Sequence, residues 1–172
     1  LEQVGHTLAL AVWGNHGPTI VHWQESPLAS PVNLRLGDVM PLLTSATGRC
    51  FAAHLSPGHS LDRIGPMVQD ELRRLQAVPH AQCRPDLPTT MAQVEALFAD
   101  VRQRGMARVV DTLLPGVVGF CAPVFDSDRR MVMGIVSLGS AATFDAEWGG
   151  TVETPLRAMA RQLSSDLGYT PP

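Results

Sequence analysis

Hydroxyl side chains cluster at 44–48, in Thr44-Ser45-Ala46-Thr47-Gly48, where the run Pro41-Leu42-Leu43 leads into the small-residue segment 46–55. Thr44 or Ser45 is placed to cap a short helix there. The first turn of a helix carries unpaired N–H groups and a partial positive charge, so its mouth suits a small anion. Ordinary capping with no ligand accounts for the same residues, and both readings stay open at this point.

Other chemistries find less support. Cys50, Cys83 and Cys121 are widely spaced and odd in number, with no CxxC pair, which predicts free thiols in a reducing, cytoplasmic setting. The histidines at 6, 16, 22, 54, 59 and 80 show no HxH or HExxH spacing, so no zinc site and no other metal or cofactor is expected. GxSxG, Walker and GxGxxG patterns are absent, and Ser137 sits inside a strand-like run instead of on a sharp turn. Acyl transfer and nucleotide chemistry are therefore not expected.

The elements that would position the hydroxyl cluster are legible from periodicity. Residues 6–13 and 19–23 flank Gly14-Asn15-His16-Gly17-Pro18, a strand, turn, strand signature. A break at Ser56-Pro57-Gly58 precedes a helix over about 60–76, with Leu61, Ile64, Val68, Leu72 and Leu75 at helical spacing. After a connector at 79–88, Thr90 and Gln93 fit a capping box for a helix ending at Gly105. Strands are expected at 107–111, 117–125 and 131–138, and a final amphipathic helix over 151–168 carries Leu156, Met159, Ala160, Leu163 and Leu167. Trp13 and Trp23 read as aromatic core or, with Leu8, Leu10 and Val12, as a subunit face. Hairpins in place of regular βαβ alternation predict an α+β domain with a largely antiparallel sheet flanked by helices.

At 172 residues, 45% hydrophobic and 17% charged, the chain suits one packed domain over 1–172. Its formal net charge of −3 comes without any basic block, so the chain alone is not expected to grip DNA. No apolar run approaches the ~20 residues of a membrane span. The start at Leu1-Glu2-Gln3-Val4 shows neither an initiator Met nor a signal-peptide pattern and reads as a piece of something longer.

Four segments, in order, resemble the effector-binding domain of IclR-family transcriptional regulators. The family's small-A-x-G-K/R-x-hydrophobic-x-A pattern resembles 42–53, and its I-R-x-x-G-Y-A resembles Val101-Arg102-Gln103-Arg104-Gly105-Met106-Ala107. Its P-G-V-x-x-x-A-A-P-V-F-D resembles 115–126, and its A-x-S-x-S-G strand resembles Ile135-Val136-Ser137-Leu138-Gly139-Ser140. The resemblance implies a GAF-like fold, a preceding winged helix-turn-helix domain outside this chain, operator DNA bound through that domain, and self-association as a dimer or tetramer.

It also implies a small-molecule effector, often a carboxylate, held between the sheet and the loop that opens the short helix. The N–H groups of Ala46, Thr47 and Gly48 and the hydroxyls of Thr44, Ser45 and Thr47 would hold the acid group. Across the pocket the corresponding positions are Val109, Asp111 and Thr112, then Gly119 and Cys121, then Ser137 and Gly139, with 119 and 121 sharing one strand face and 137 and 139 another. Asp111 is expected to hydrogen-bond or simply be solvated, and Cys121 to be a small core residue. Val109 and Thr112 stand where acidic residues are common, and Gly139 where a second Ser is usual, which predicts an effector with hydrophobic or aromatic bulk beside its acid group. Two alternatives remain: a GAF-like cysteine redox enzyme, which would need a lowered thiol pKa, and a domain that only oligomerises.

Overall fold

The computed structural model describes residues 4–28, 32–55, 61–79 and 86–172, with backbone alone at 61–63. The opening hairpin forms as β1 (Thr7–Gly14) and β2 (Gly17–Gln24), followed by α1 (Ala46–His54), α2 (Leu61–Ala77) and α3 (Met91–Arg104). Strands β3 (Ala107–Val110), β4 (Val117–Phe125) and β5 (Met131–Ser140) lead to the last helix, α4 (Glu153–Asp166). The break at Ser56-Pro57-Gly58 and most of the 79–88 connector lie outside the described residues, as do Cys83, His59 and His80.

Every strand pair is antiparallel, in the order β2-β1-β5-β4-β3, so β5 returns from the β4 hairpin to pair with the first strand of the chain. β4 and β5 lie deep in the sheet and read as near-continuous apolar runs, as strands covered on both faces must. On one face α1 packs with Ala9, Ala11, Val109, Cys121, Val136 and Leu138. α2 and α3 close over α1 through Leu43, Ala52, Ile64, Val68, Leu72 and Val94. On the opposite face α4 inserts Leu156 and Ala160 against Val118, Phe120, Ala122, Val124 and Ile135.

The caps explain the helix bounds. Thr90 Oγ1 accepts the N–H of Gln93 at 3.2 Å, while the Gln93 side chain reaches one residue further back than a simple capping box, accepting the N–H of Thr89 at 2.7 Å. Gly105 ends α3 with φ 70, a left-handed conformation that costs a glycine little. Helix α4 departs from its expected stripe: Leu156, Ala160 and Ser164 are buried, whereas Leu163 and Leu167 are exposed. A half-width helix cannot cover a five-stranded sheet, and the uncovered part leaves Leu8, Leu10, Ile135, Met159 and Leu163 around an open cleft of about 640 Å³.

Strand alternation also separates the residues expected to form one subunit face. Trp13 and Trp23 pack toward α1, with Trp13 6.1 Å from the Phe51 ring, while Leu8 and Leu10 face α4. The tryptophans are aromatic core, and only the leucines join the exposed apolar cleft.

Two outcomes follow for stability. Phe51 is fully buried between α1 and the sheet, so Phe51→Ala should cost about 3–5 kcal/mol in urea unfolding. His54, edge-on to Phe125 at 5.5 Å, has its pKa held below 6.5 chiefly by burial; its bond to the Cys50 carbonyl opposes this and the Arg102 charge reinforces it. A base with a lowered folded-state pKa stays neutral in the fold, so this stability is complete above about pH 6.5 and is lost as the pH falls below it. The melting temperature should therefore drop between pH 6.5 and pH 5, and His54→Gln should flatten that drop in part, since burial lowers the His6 pKa in the same direction.

Candidate effector-binding site

The mouth of α1 is built by backbone economy. Ser45 is the N-cap, in extended conformation; its Oγ accepts the Gly48 N–H at 2.8 Å and donates to the Pro41 carbonyl at 2.6 Å, while its carbonyl accepts the Arg49 N–H. Of the three N–H groups expected to face an anion, that of Gly48 is thus spent on the cap. Those of Ala46 and Thr47 have no partner within the helix, as its first-turn donors must. Glycine is needed at 48 by the chain itself: a Cβ there would lie 1.9 Å from the Pro41 carbonyl oxygen.

Glu71 of α2 is the element the sequence did not expose. Its carboxylate accepts the N–H groups of Leu42 and Leu43 at 2.7 and 2.8 Å, holding the turn that feeds α1. Burial raises the Glu71 pKa, and the N–H groups of Leu43, Leu42 and Thr44 pull it back. Arg49, 3% exposed, donates to the carbonyls of Leu43 at 2.7 Å and Asp86 at 3.0 Å. Burial lowers its pKa to about 10, against the raising effect of Asp86 and Glu71. The nearest signal in the sequence was the Gly-Arg pair at 48–49; Glu71, 28 residues from Leu43, gave none.

Among the strand positions, Val109, Gly119 and Cys121 come together on the α1 face, where Val109 pairs with Gly119 and Gly119 with Leu138. Ser137 and Gly139 do not join them. Ser137 pairs with Phe120 and Gly139 with Val118, both on the α4 face; the Ser137 hydroxyl donates to the Thr7 carbonyl at 3.2 Å. A Cβ on Gly139 would meet Phe144 at 2.9 Å and His6 at 3.1 Å, so that side of β5 is filled by the protein's own side chains. The correction is one residue of register: shifting a strand by one swaps its faces, and the β5 residues toward α1 are Val136 and Leu138.

Asp111 has left the strand. With φ 56 it turns the chain, accepts the Gly116 N–H at 2.6 Å and closes the β3–β4 turn. Thr112 is 1% exposed and donates to Asp86 Oδ2 and to the Val110 carbonyl, tying that turn to the segment ahead of α3. Thr44 is half-buried and Thr47 is 1% exposed within α1. The sheet face packed on α1 is consequently apolar: Val109, Gly119, Cys121, Val136 and Leu138, with Val32, Met40 and Leu113 in the same cluster.

The Cys50 thiol is not activated. Cys50 and Cys121 are both fully buried; burial, then the neighbouring Cys121, pushes the Cys50 thiol well above its usual range. No group of three possible metal ligands occurs among the described residues, and no helix among them is long and apolar enough to cross a membrane.

Comparison with known proteins agrees with this architecture. The family described as "Bacterial transcriptional regulator IclR C-terminal" matches residues 1–165. The glycerol operon regulatory protein of Streptomyces coelicolor is 28% identical over 167 residues, covering 95% of this chain and 60% of that protein. The crystal structure of Pseudomonas aeruginosa HmgR superposes with a TM-score of 0.80 at 33% identity, covering 98% of this chain and 62% of the other. The Thermotoga maritima IclR structure, at 21% identity and a TM-score of 0.75 over 98% of this chain, shares the fold. The chain spans less than two thirds of the length of these relatives, 60% of the first and 62% of the second. With the α+β architecture and a match over nearly its whole length, the chain belongs to the IclR family of bacterial transcriptional regulators, as their C-terminal domain.

Proposed function

We propose that this chain is the ligand-sensing domain of a cytoplasmic regulator whose DNA-reading domain lies outside these 172 residues. A small carboxylate with apolar or aromatic bulk would bind between the α1 mouth and the sheet. Its acid group would take the Ala46 and Thr47 N–H groups, with the Thr44 and Thr47 hydroxyls beside them. The observation that supports this reading is the apolar sheet face packed on α1: its β5 side chains are Val136 and Leu138, so bulk rather than polar groups would meet the ligand's far end.

Occupancy would shift the subunit arrangement of a homodimer or tetramer and so change operator affinity in the longer protein, since a ligand moves an equilibrium by its differential affinity for the two states. The apolar cleft at Leu8, Leu10 and Leu163 supports self-association on the α4 side. The raised Cys50 pKa speaks against the cysteine redox alternative, which needs a thiolate. A domain that only oligomerises would ignore small molecules.

A thermal-shift screen of benzoate and phenylacetate against glyoxylate and pyruvate tests the effector class, a ligand at about 100 times its dissociation constant adding about 2.7 kcal/mol. The aromatic acids should give the larger shifts; tighter binding of glyoxylate or pyruvate than of either aromatic acid would overturn the reading. Val136→Ser with Leu138→Ser should weaken an aromatic acid about tenfold or more, each replacement removing apolar contact worth roughly 1–2 kcal/mol. Gly48→Ala should destabilise the domain by more than ~2 kcal/mol, because the clash is with backbone that the Ser45 cap and Glu71 both hold; an unchanged urea midpoint would contradict that packing.

A further inference from the structure

A separate cleft of about 660 Å³ opens at the other end of α1, between α1, α2, α3 and the β4–β5 turn. Its walls are apolar: Ala53, Ile64, Val68, Val94 and Phe98 line it, with Phe125 contributed by the end of β4. Its polar groups include Arg102 from α3 and Arg129 from the β4–β5 turn, against one carboxylate, Glu95. His54 also lines it, with its Nδ1 2.9 Å from the Cys50 carbonyl; a carbonyl only accepts, so that nitrogen carries the proton and the ring adds no charge.

Volume, walls and charge agree on one kind of occupant. A space of this size falls within the usual range for single small ligands, roughly 300–1,000 Å³. Two guanidinium groups against one carboxylate leave a positive balance, and arginine is the side chain best shaped to grip a carboxylate. The C-terminal end of α1 would by itself repel an anion, but Arg102 already donates to the Ala53 carbonyl at 3.1 Å and covers that end. The cleft is removed from the α1 mouth by the length of the helix, Ala46 to His54, about 12 Å at the usual rise per residue.

We infer that this cleft is a second ligand site, independent of the proposed effector site, for an amphipathic carboxylate whose alkyl or aryl body lies among Ala53, Ile64, Val68, Val94 and Phe98 and whose acid group pairs with Arg102 and Arg129. The site lies against α2, whose Glu71 holds the turn that feeds α1, so a ligand here presses on the same helix that shapes the other end.

The test uses octanoate and its uncharged analogue octanamide, read from methyl resonances of this chain. Octanoate should shift the methyls of Ala53, Ile64, Val68 and Val94 saturably, and octanamide should bind at least fivefold more weakly. Arg129→Gly removes one guanidinium while suiting the left-handed φ of 61, so the fold is retained; it should weaken octanoate threefold to tenfold and leave octanamide unchanged. Arg102→Ala should act likewise. Unmoved cleft methyls, equal binding of the two probes, or an octanoate affinity indifferent to Arg129→Gly would each overturn the inference. Shifts confined to Val109, Val136 and Leu138 would overturn it while supporting the effector site, and shifts confined to the cleft would do the reverse.

Discussion

The approach of Gly48 to the backbone of Pro41 and Leu42 is the contact on which the α1 side of the molecule depends. With no Cβ to keep the two strands of chain apart, the segment entering α1 folds back against the helix's first turn. Ser45 can then bond both Pro41 and Gly48, and the N–H groups of Leu42 and Leu43 turn toward Glu71. Helix α1 consequently enters the molecule at a fixed angle and is buried from Ala46 to Ala53, its small side chains packing around one aromatic ring, Phe51, and one charged residue, Arg49.

That burial encloses charge. Arg49 lies inside the same helix, and it is tolerated because its donors meet the Leu43 and Asp86 carbonyls and because Glu71 and Asp86 stand near. Buried ions are costly unless they are paired and hydrogen-bonded, and breaking one partner leaves the other uncompensated. The arrangement links α1, α2 and the segment before α3 through Glu71, Arg49, Asp86 and Thr112. The helices around α1 are thereby tied to one another by directional bonds, a more exact linkage than apolar contact alone.

The two faces of the sheet divide the labour. The α1 face is closed by helices and packs apolar side chains against α1. The α4 face is covered across β4 and β5 and bare across the hairpin, where Leu8 and Leu10 remain partly open.

Periodicity and turn chemistry in the sequence determined the elements: Gly105 stops α3, Ser45 caps α1, the opening hairpin turns at Asn15-His16, and β4 and β5 read as covered strands. These are local matters, decided by dihedral preference and by the spacing of apolar residues. Which face each strand residue joined was decided by pairing across the sheet: β5 lies between β1 and β4, and its register sends Val136 and Leu138 to α1 and Ser137 and Gly139 to α4. Glu71 was equally invisible, since a carboxylate on an amphipathic helix looks solvated until another segment brings its unpaired N–H groups within reach. The sequence by itself determined the family and the elements; the tertiary structure decided which strand residues face α1 and what anchors the α1 mouth, because facing and burial depend on partners distant along the chain.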